Sequence, residues 1–550
     1  MGVWRERLDE RPVVSRNETS RAVVSPRTKS AFPRYEGLIL AGVVFVAAIY
    51  AGYELVFHFH EVYGDAMSRV LPGLYIVWGG EFHLAAIGFY WSPLVVLLAV
   101  PFALLRSIWP PLMQYAFTAN VLSACFAALG VYHMDRLLWR FGLNRPLRVF
   151  WVMLYAFNPL IFLYSSNGMS DGMLCAVIIA CVDNLSEYIE TERLLSLVVA
   201  GSWLAAAFMV RYEAVPIGAG LGVGLAISIY LRDKNWKKAE GVAISFLFPV
   251  VMAGLIWILL AWIIMKDPLY FLNSKYSNSA QIKMGGYNYP QVMAARHNLV
   301  VTIYQVFHFT DNFWPYVPAV IVTTLLQIRK KPHLLGIPLV LASFGVPVLQ
   351  AGLLYTHRSA DWDRFFIYYV PFGVMLCGYA LSLLTPKLRM IIGTLSVALF
   401  LSADYLAFVS IQSPVWGNGE NGLVHDVIHS GSGNVVHVVI DYGYITSGRL
   451  EAAYLNSHPD LVTLVSAFQD FGMMPFIQRS NSIVFNYQAD FDSVLYNPRG
   501  RVNAILDVSN PTDQINVAYP TMYSQGLPWL RLIHEFPNGD KLFRVLSDAP

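Results

Sequence analysis

The chain has 550 residues, 56% of them hydrophobic and 13% charged, with a mean hydropathy of +0.48 and a formal net charge of +2. Soluble domains carry about 25% charged residues, so a deficit of this size excludes an ordinary soluble protein and makes lipid the solvent for much of the chain. A net charge near zero excludes a bulk basic field for nucleic acid.

Residues 1–35 carry Arg5, Arg7, Arg11, Arg16, Arg21, Arg27 and Arg34. No short apolar core with a small-residue cleavage site follows, so they read as a cytosolic basic tail and not a signal peptide. Beyond the tail, apolar runs predict about eleven membrane-spanning helices of about 20 residues each, near 36–56, 113–134, 149–165, 171–188, 194–210, 214–231, 240–264, 313–328, 334–355, 366–384 and 389–409. The run Pro93–Leu105 is apolar but short and flanked by proline. It reads as an interfacial or re-entrant helix. Leaving it outside puts every short basic cluster on one side: Arg136, Arg140, Arg145 and Arg148; Arg193; Arg232, Lys234, Lys237 and Lys238; Arg329, Lys330 and Lys331; Lys387 and Arg389. Positive residues stay cytoplasmic, so the N-terminus is expected inside and three segments outside: a first loop at 57–112, a second at 266–312 and the tail from 410 to 550.

The tail changes character. VVHVVIDYG, SIVFNYQADF, VNAILDV, INVAYP and KLFRVL are rich in strand formers and broken by Gly, Asn and Pro, which predicts a small soluble α/β or α+β domain. Its last strand follows the hairpin signal Pro537-Asn538-Gly539-Asp540. The polytopic helical domain is expected over 36–409. Cys125, Cys175, Cys181 and Cys377 all lie in apolar runs without metal-ligand spacing and read as small buried hydrophobes.

Ionisable groups near a membrane are costly and mark function. Asp65 lies in GDAMSR, just after His60 and Glu61. Asp171 lies in SSNGMSDG, Arg211 and Glu213 in VRYEAVP, and His357, Arg358, Asp361, Asp363 and Arg364 in YTHRSADWDRFF. These segments are far apart in sequence, yet the expected topology brings them to one depth on the outer face. Plainer roles compete. Glu213 can pair with Arg211 or cap a helix, Asp171 can complement a helix dipole, and Asp363 can pair with Arg364. Asp65 has the least structural reason to be where it is. No spacing among acids and histidines makes a metal site, and no cofactor is expected.

The order of these pieces resembles the GT-C superfamily of membrane glycosyltransferases, which take sugar from polyprenyl- or dolichyl-phosphate donors. The resemblance covers most of residues 36–409. It rests on one span, then an outer loop with an early acid (GDAMSR), then interfacial helices with a proline motif (GFYWSPLVVLLAVPFALL), then NGMSDG, RYEAVP and DRFFIYYVPF. Two departures leave the sugar open: a single acid followed by Ala stands where an acidic pair is usual, and Ser-Pro where Pro-Pro is usual. The resemblance carries the family's catalytic aspartate onto Asp65. It makes Asp171 and Glu213 cavity residues and Arg358 or Arg364 phosphate binders, and Arg211, Asp363, His60 and Glu61 join them as candidate substrate-binding residues. It implies a polyprenyl-phosphate-linked sugar, mannose-like, and inverting transfer to an acceptor on a glycan, lipid or protein.

The chemistry suits these residue types. A carboxylate can take the proton of an acceptor hydroxyl during attack. The leaving phosphate needs charge stabilisation, which the planar fork of arginine supplies. No Asn-x-Ser/Thr sequence with x other than Pro falls in the outer segments, and Asn17-Glu18-Thr19 lies in the inner tail, which points to a bacterial plasma membrane. A transporter or flippase is the competing class. It predicts charges near the midplane and repeated halves, and neither is visible. A non-catalytic scaffold and a glycan polymerase or ligase are further alternatives.

Overall fold

A computed structural model describes residues 33–78, 84–274, 277, 280, 282, 289–329, 335–412, 440–488 and 490–546. Residues 1–32 of the basic tail, Lys330, Lys331 and most of GGYNYP and VVHVVIDYG therefore lie outside the described residues. Eight described helices are long and apolar enough to cross a membrane: Arg34–His58, Phe117–Arg140, Ser170–Thr191, Ala214–Asp233, Trp236–Met265, Gly336–Tyr355, Asp363–Ser382 and Pro386–Ile411. The pair Arg145–Ala156 and Pro159–Ser166, bent by 63°, passes the same test of length and composition only when its two helices are taken together, as a broken span or a re-entrant loop. Asn158 causes the bend. Its side chain accepts from the backbone N–H groups of Leu160 and Ile161, and Pro159 restarts the helix. Two more expected spans, Leu194–Val210 and Tyr316–Ile328, form shorter apolar helices, as does Leu94–Ser107.

Burial orders the bundle. Ser170–Thr191 is 89% buried over its apolar window and stands at the centre, between Phe117–Arg140 and Leu194–Val210. Trp236–Met265 has mean hydropathy 2.6 and is only 11% buried. Such a helix presents most of its apolar surface to lipid. Where helices approach closely, glycine permits it. A Cβ on Gly220 would stand 2.6 Å from Ala342 Cα, and one on Gly224 would collide with Pro338, a small-residue seam of the membrane kind. Cys175 and Cys181 are buried, but Cys125 is exposed. It lies on the outward face of Phe117–Arg140, where a thiol faces lipid as easily as it faces a core.

The C-terminal part holds a five-stranded mixed sheet in the order β2-β1-β3-β5-β4: β1 Thr463–Val465, β2 Ile483–Phe485, β3 Ala504–Asp507, β4 Leu530–Glu535 and β5 Lys541–Val545. β1 pairs in parallel with β2 and β3, while β5 runs antiparallel to β3 and β4. The Pro537–Asp540 turn joins β4 to β5 as expected. Successive side chains alternate between faces. Leu464, Ile505 and Phe543 pack with Phe491 and Val494 on one face, while Val465, Phe485, Leu506 and Leu542 join the main core on the other. Two expected strands are helical instead: the described end of VVHVVIDYG opens the Ile440–Ser457 helix, and INVA lies in Gln514–Ala518. Asp513 caps the latter through the Ile515 N–H, a start signal that outweighs the β-branched residues after it.

The sheet rests on the segment 57–112. Tyr75 meets Phe485 and Tyr487 at ring separations of 5.1 and 4.9 Å, and the Tyr90 and Tyr487 hydroxyls hydrogen-bond. Tyr115 meets Phe476 at 6.1 Å.

Candidate active site

Asp65 lies in the first turn of the Gly64–Trp78 helix, where the helix dipole favours a carboxylate. Its Oδ2 is 3.0 Å from Arg364 Nη1 and 3.9 Å from Arg69 Nη1. Arg69 is one turn further on, donates to the Asp65 carbonyl at 3.0 Å and stacks over Trp91 at 4.4 Å. Arg364 stacks over Trp362 at 4.3 Å. Rings on one side and a carboxylate on the other fix both guanidinium planes. Asp65 keeps 30% of its side chain exposed, against 6% for Arg69 and 10% for Arg364. The acid is the open member of the group.

A second knot is centred on Arg211. Its Nη1 is 3.0 Å from Asp171 Oδ2 and donates to Ser170 Oγ at 3.2 Å. Its Nη2 donates to Glu213 Oε1 at 2.6 Å. Arg211 ends the Leu194–Val210 helix in an extended conformation and Glu213 precedes Ala214–Asp233, so the short turn between the helices lets the fork reach its neighbour's carboxylate. Asp171 is placed by SSNGMSDG. Asn167 Oδ1 accepts from Met169 N at 3.1 Å. Gly168 takes φ +80°, and a Cβ on Gly172 would sit 2.6 Å from the Tyr164 carbonyl oxygen. These glycines let the start of Ser170–Thr191 nest against the preceding helix and bury Asp171 completely.

The two knots share one field. Burial pushes the Asp65 carboxyl up, but the guanidiniums of Arg364, Arg69 and Arg211 outweigh it and hold the group below the ordinary aspartate value. Burial also pushes Glu213 up, and Arg211 brings it back below its ordinary value. Arg69 feels Asp171 as well as Asp65. Three acids and three arginines, from four segments spread over Asp65 to Arg364, thus form one charge-balanced group.

The remaining candidates sit differently. Asp363 is buried and accepts from Asn312 Nδ2 at 2.6 Å, while Arg364 pairs with Asp65. Arg358 and His60 are exposed. Glu61 is buried, and neither it nor His60 belongs to the described ion pairs of the group. Arg69 was not foreseen, although the i, i+4 spacing within GDAMSR carried the signal. A set of carboxylates able to hold a metal, Glu451, Asp470 and Asp540, lies in the sheet domain, and nothing in the linear spacing announced it.

The basic residues gather at the other ends of the helices. Arg136 and Arg140 pair with Asp183 at 3.2 and 3.1 Å. Arg148 pairs with Asp135 at 2.6 Å and with Glu36, at the start of the first span, at 2.9 Å. Asp171 and Asp183 share one helix and lie about 18 Å apart at 1.5 Å per residue. The Asp65 group and the arginine-rich end are therefore separated along the bundle.

No protein-family model matches the chain, and no curated protein matches it. Solved structures do. ArnT from Cupriavidus metallidurans bound to undecaprenyl phosphate superposes with TM-score 0.51 at 11% identity, covering 94% of this chain and 99% of that one. The chain is similar in fold to ArnT over nearly its whole length. The apo state of the same ArnT gives 0.50 at 12% identity, over 92% and 98% of the two chains. The archaeal oligosaccharyltransferase AglB from Archaeoglobus fulgidus, in complex with an inhibitory peptide and a dolichol-phosphate, gives 0.43 at 12%, over 95% and 75%. The likeness to ArnT extends over 94% of this chain, so it takes in the helical domain and the C-terminal sheet together.

Proposed function

We propose that the chain is an inverting glycosyltransferase that moves a sugar, mannose-like, from a polyprenyl-phosphate donor to an acceptor hydroxyl on a glycan, lipid or protein. The reaction takes place at the non-cytoplasmic face of a bacterial plasma membrane. The observation that carries this reading is the convergence of Asp65, Asp171 and Glu213 with Arg69, Arg211 and Arg364. The likeness in fold to ArnT and the undecaprenyl phosphate held by ArnT support the donor class. The separation of the group from the arginine-rich helix ends supports the outer face.

Asp65 is the general base. It takes the acceptor hydroxyl proton as the acceptor oxygen bonds to the anomeric carbon, and the bond from that carbon to the phosphate oxygen breaks with its electron pair leaving on the phosphate. Arg364 and Arg69 stabilise that charge, as paired donors in a site shielded by aromatic rings. Arg211, already engaged by Asp171 and Glu213, holds the helix ends in register. The test is Asp65→Asn in purified full-length protein presented with a panel of polyprenyl-phosphate sugars. Donor binding persists while transfer falls about 10²–10⁴-fold. Transfer near the wild-type rate removes Asp65 from the role of base.

A further inference from the structure

The C-terminal sheet domain contains a second constellation far from Asp65 in the chain. Glu451 comes from the Ile440–Ser457 helix, Asp470 from the loop after β1, and Asp540 from the β4–β5 turn. One oxygen from each lies within 4.8 Å of the others, and all three residues are buried. Among the described residues no lysine, arginine or histidine forms an ion pair with any of them. The nearby Lys541 donates to the Tyr523 carbonyl at 3.1 Å and lies over the Tyr523 ring at 4.3 Å. Asn538 donates to Glu451 at 2.8 Å and to Asp540 at 2.6 Å. Asp470 receives no such donor: it is 5% exposed, and its Oδ2 is buried without a hydrogen-bond partner. A cavity of about 390 Å³ opens beside the three acids, lined also by Tyr444, Ser447, Gln469 and Asn510.

Three carboxylates do not converge in a buried place without a cation or protons to neutralise them. The donors are all oxygen, which suits a hard cation and disfavours zinc. Oxygens within 4.8 Å of one another match the width of a calcium coordination sphere, about 4.6–5.2 Å across. The cavity leaves room for water or a ligand oxygen at the remaining positions. We propose that Glu451, Asp470 and Asp540 form a divalent-cation site of the calcium type. A bound cation would tie the Ile440–Ser457 helix to the sheet and to the β4–β5 turn. That helix packs on the Met474–Phe476 turn, which in turn packs on Pro111–Gln114, so the cation would stiffen the seat of the domain above the membrane.

The experiment uses the full-length protein in detergent, stripped with chelator and dialysed against radioactive Ca²⁺. The expected result is saturable uptake of about one ion per chain with a dissociation constant on the order of 10⁻⁴–10⁻³ M, as in extracellular calcium modules, and a higher melting midpoint with Ca²⁺ than with chelator. Asp470→Asn, which keeps the side-chain volume, lowers the affinity at least tenfold, while Asp65→Asn leaves uptake unchanged. Glu451→Gln repeats the loss should Asp470→Asn fold poorly. No uptake by the wild-type protein up to about 10 mM Ca²⁺ overturns the proposal, as does equal uptake by well-folded Asp470→Asn or Glu451→Gln protein. Mg²⁺ competing as well as Ca²⁺ overturns the calcium assignment.

Discussion

Replacing Asp65 with Asn separates base from binding group more sharply than loss of activity alone. In the resting protein Arg364 Nη1 is 3.0 Å from the Asp65 carboxylate. The lipid phosphate must therefore compete with Asp65 for that guanidinium. At an effective dielectric of about 20, a unit pair at this distance is worth about 5 kcal/mol before solvent is counted. The 30% exposure of Asp65 and the cost of desolvating both partners reduce this to about 1–2 kcal/mol. Asparagine keeps the shape and removes the charge, so Arg364 is released to the phosphate. Donor affinity should rise about five- to thirty-fold while the single-turnover rate falls about 10²–10⁴-fold. Equilibrium binding of a radiolabelled polyprenyl-phosphate sugar, measured beside rapid-quench transfer in the same detergent, reads both quantities. A weaker donor constant in Asp65→Asn refutes the reasoning, because it would mean that Asp65 helps to hold the donor and does not compete with it.

Gly172→Ala places a methyl group 2.6 Å from the Tyr164 carbonyl oxygen, against backbone that has nowhere to go. It should cost about 1–3 kcal/mol, lowering the melting midpoint and transfer together, whereas Gly42→Ala, with open space around its Cβ, should change neither. Arg211→Met strands the fully buried Asp171 and the nearly buried Glu213 and should destabilise the protein by about 3–5 kcal/mol. Adding Asp171→Asn and Glu213→Gln should recover most of that loss in a thermal-shift measurement, and no recovery would show that Arg211 acts by packing alone. Asp65 sits below its ordinary value, so it stays ionised until the pH falls through that lowered value. The transfer rate should therefore be flat from pH 7 to about 4.5 and decline only below, and a midpoint near pH 6 would contradict the assigned base.

Much of this arrangement was legible because lipid imposes period and sign on a sequence. Each of the eleven expected spans lies on described helix, and the basic turns sort to one end, as Arg148 with Glu36 shows. The convergence of Asp65, Asp171, Glu213 and Arg364 followed from counting crossings, since parity puts every second turn on the same face. What parity cannot give is pairing. A pair between Asp363 and Arg364 was only one competing role in the sequence, and nothing there announced that, from a 3₁₀ turn over Asp363–Phe366, the acid would meet Asn312 and the arginine Asp65. The break at Asn158 was missed because apolar composition is blind to caps. In the sheet domain the signal weakens, because three-residue strands such as Thr463–Val465 are too short to show alternation. The Glu451, Asp470 and Asp540 set is assembled by tertiary packing alone.

The charge balance of the Asp65 group fits the proposed reaction step by step. At rest three arginines face three carboxylates. A phosphodiester donor brings one negative charge, and cleavage of the sugar–phosphate bond gives the phosphate a second. In the same step Asp65 gains a proton and loses its own charge, so the total is unchanged while its location moves from the carboxylate to the phosphate. Arg364 loses its ion-pair partner just as the phosphate becomes more demanding. The guanidinium is already held by Trp362, so little reorganisation is needed, which is the condition under which electrostatic stabilisation is most effective. A lysine at 364 would keep the charge but lose the fork and the ring stacking. Arg364→Lys should therefore retain much of the donor affinity and lose most of the rate, and a lysine variant with full turnover would show that charge alone, without fixed geometry, suffices.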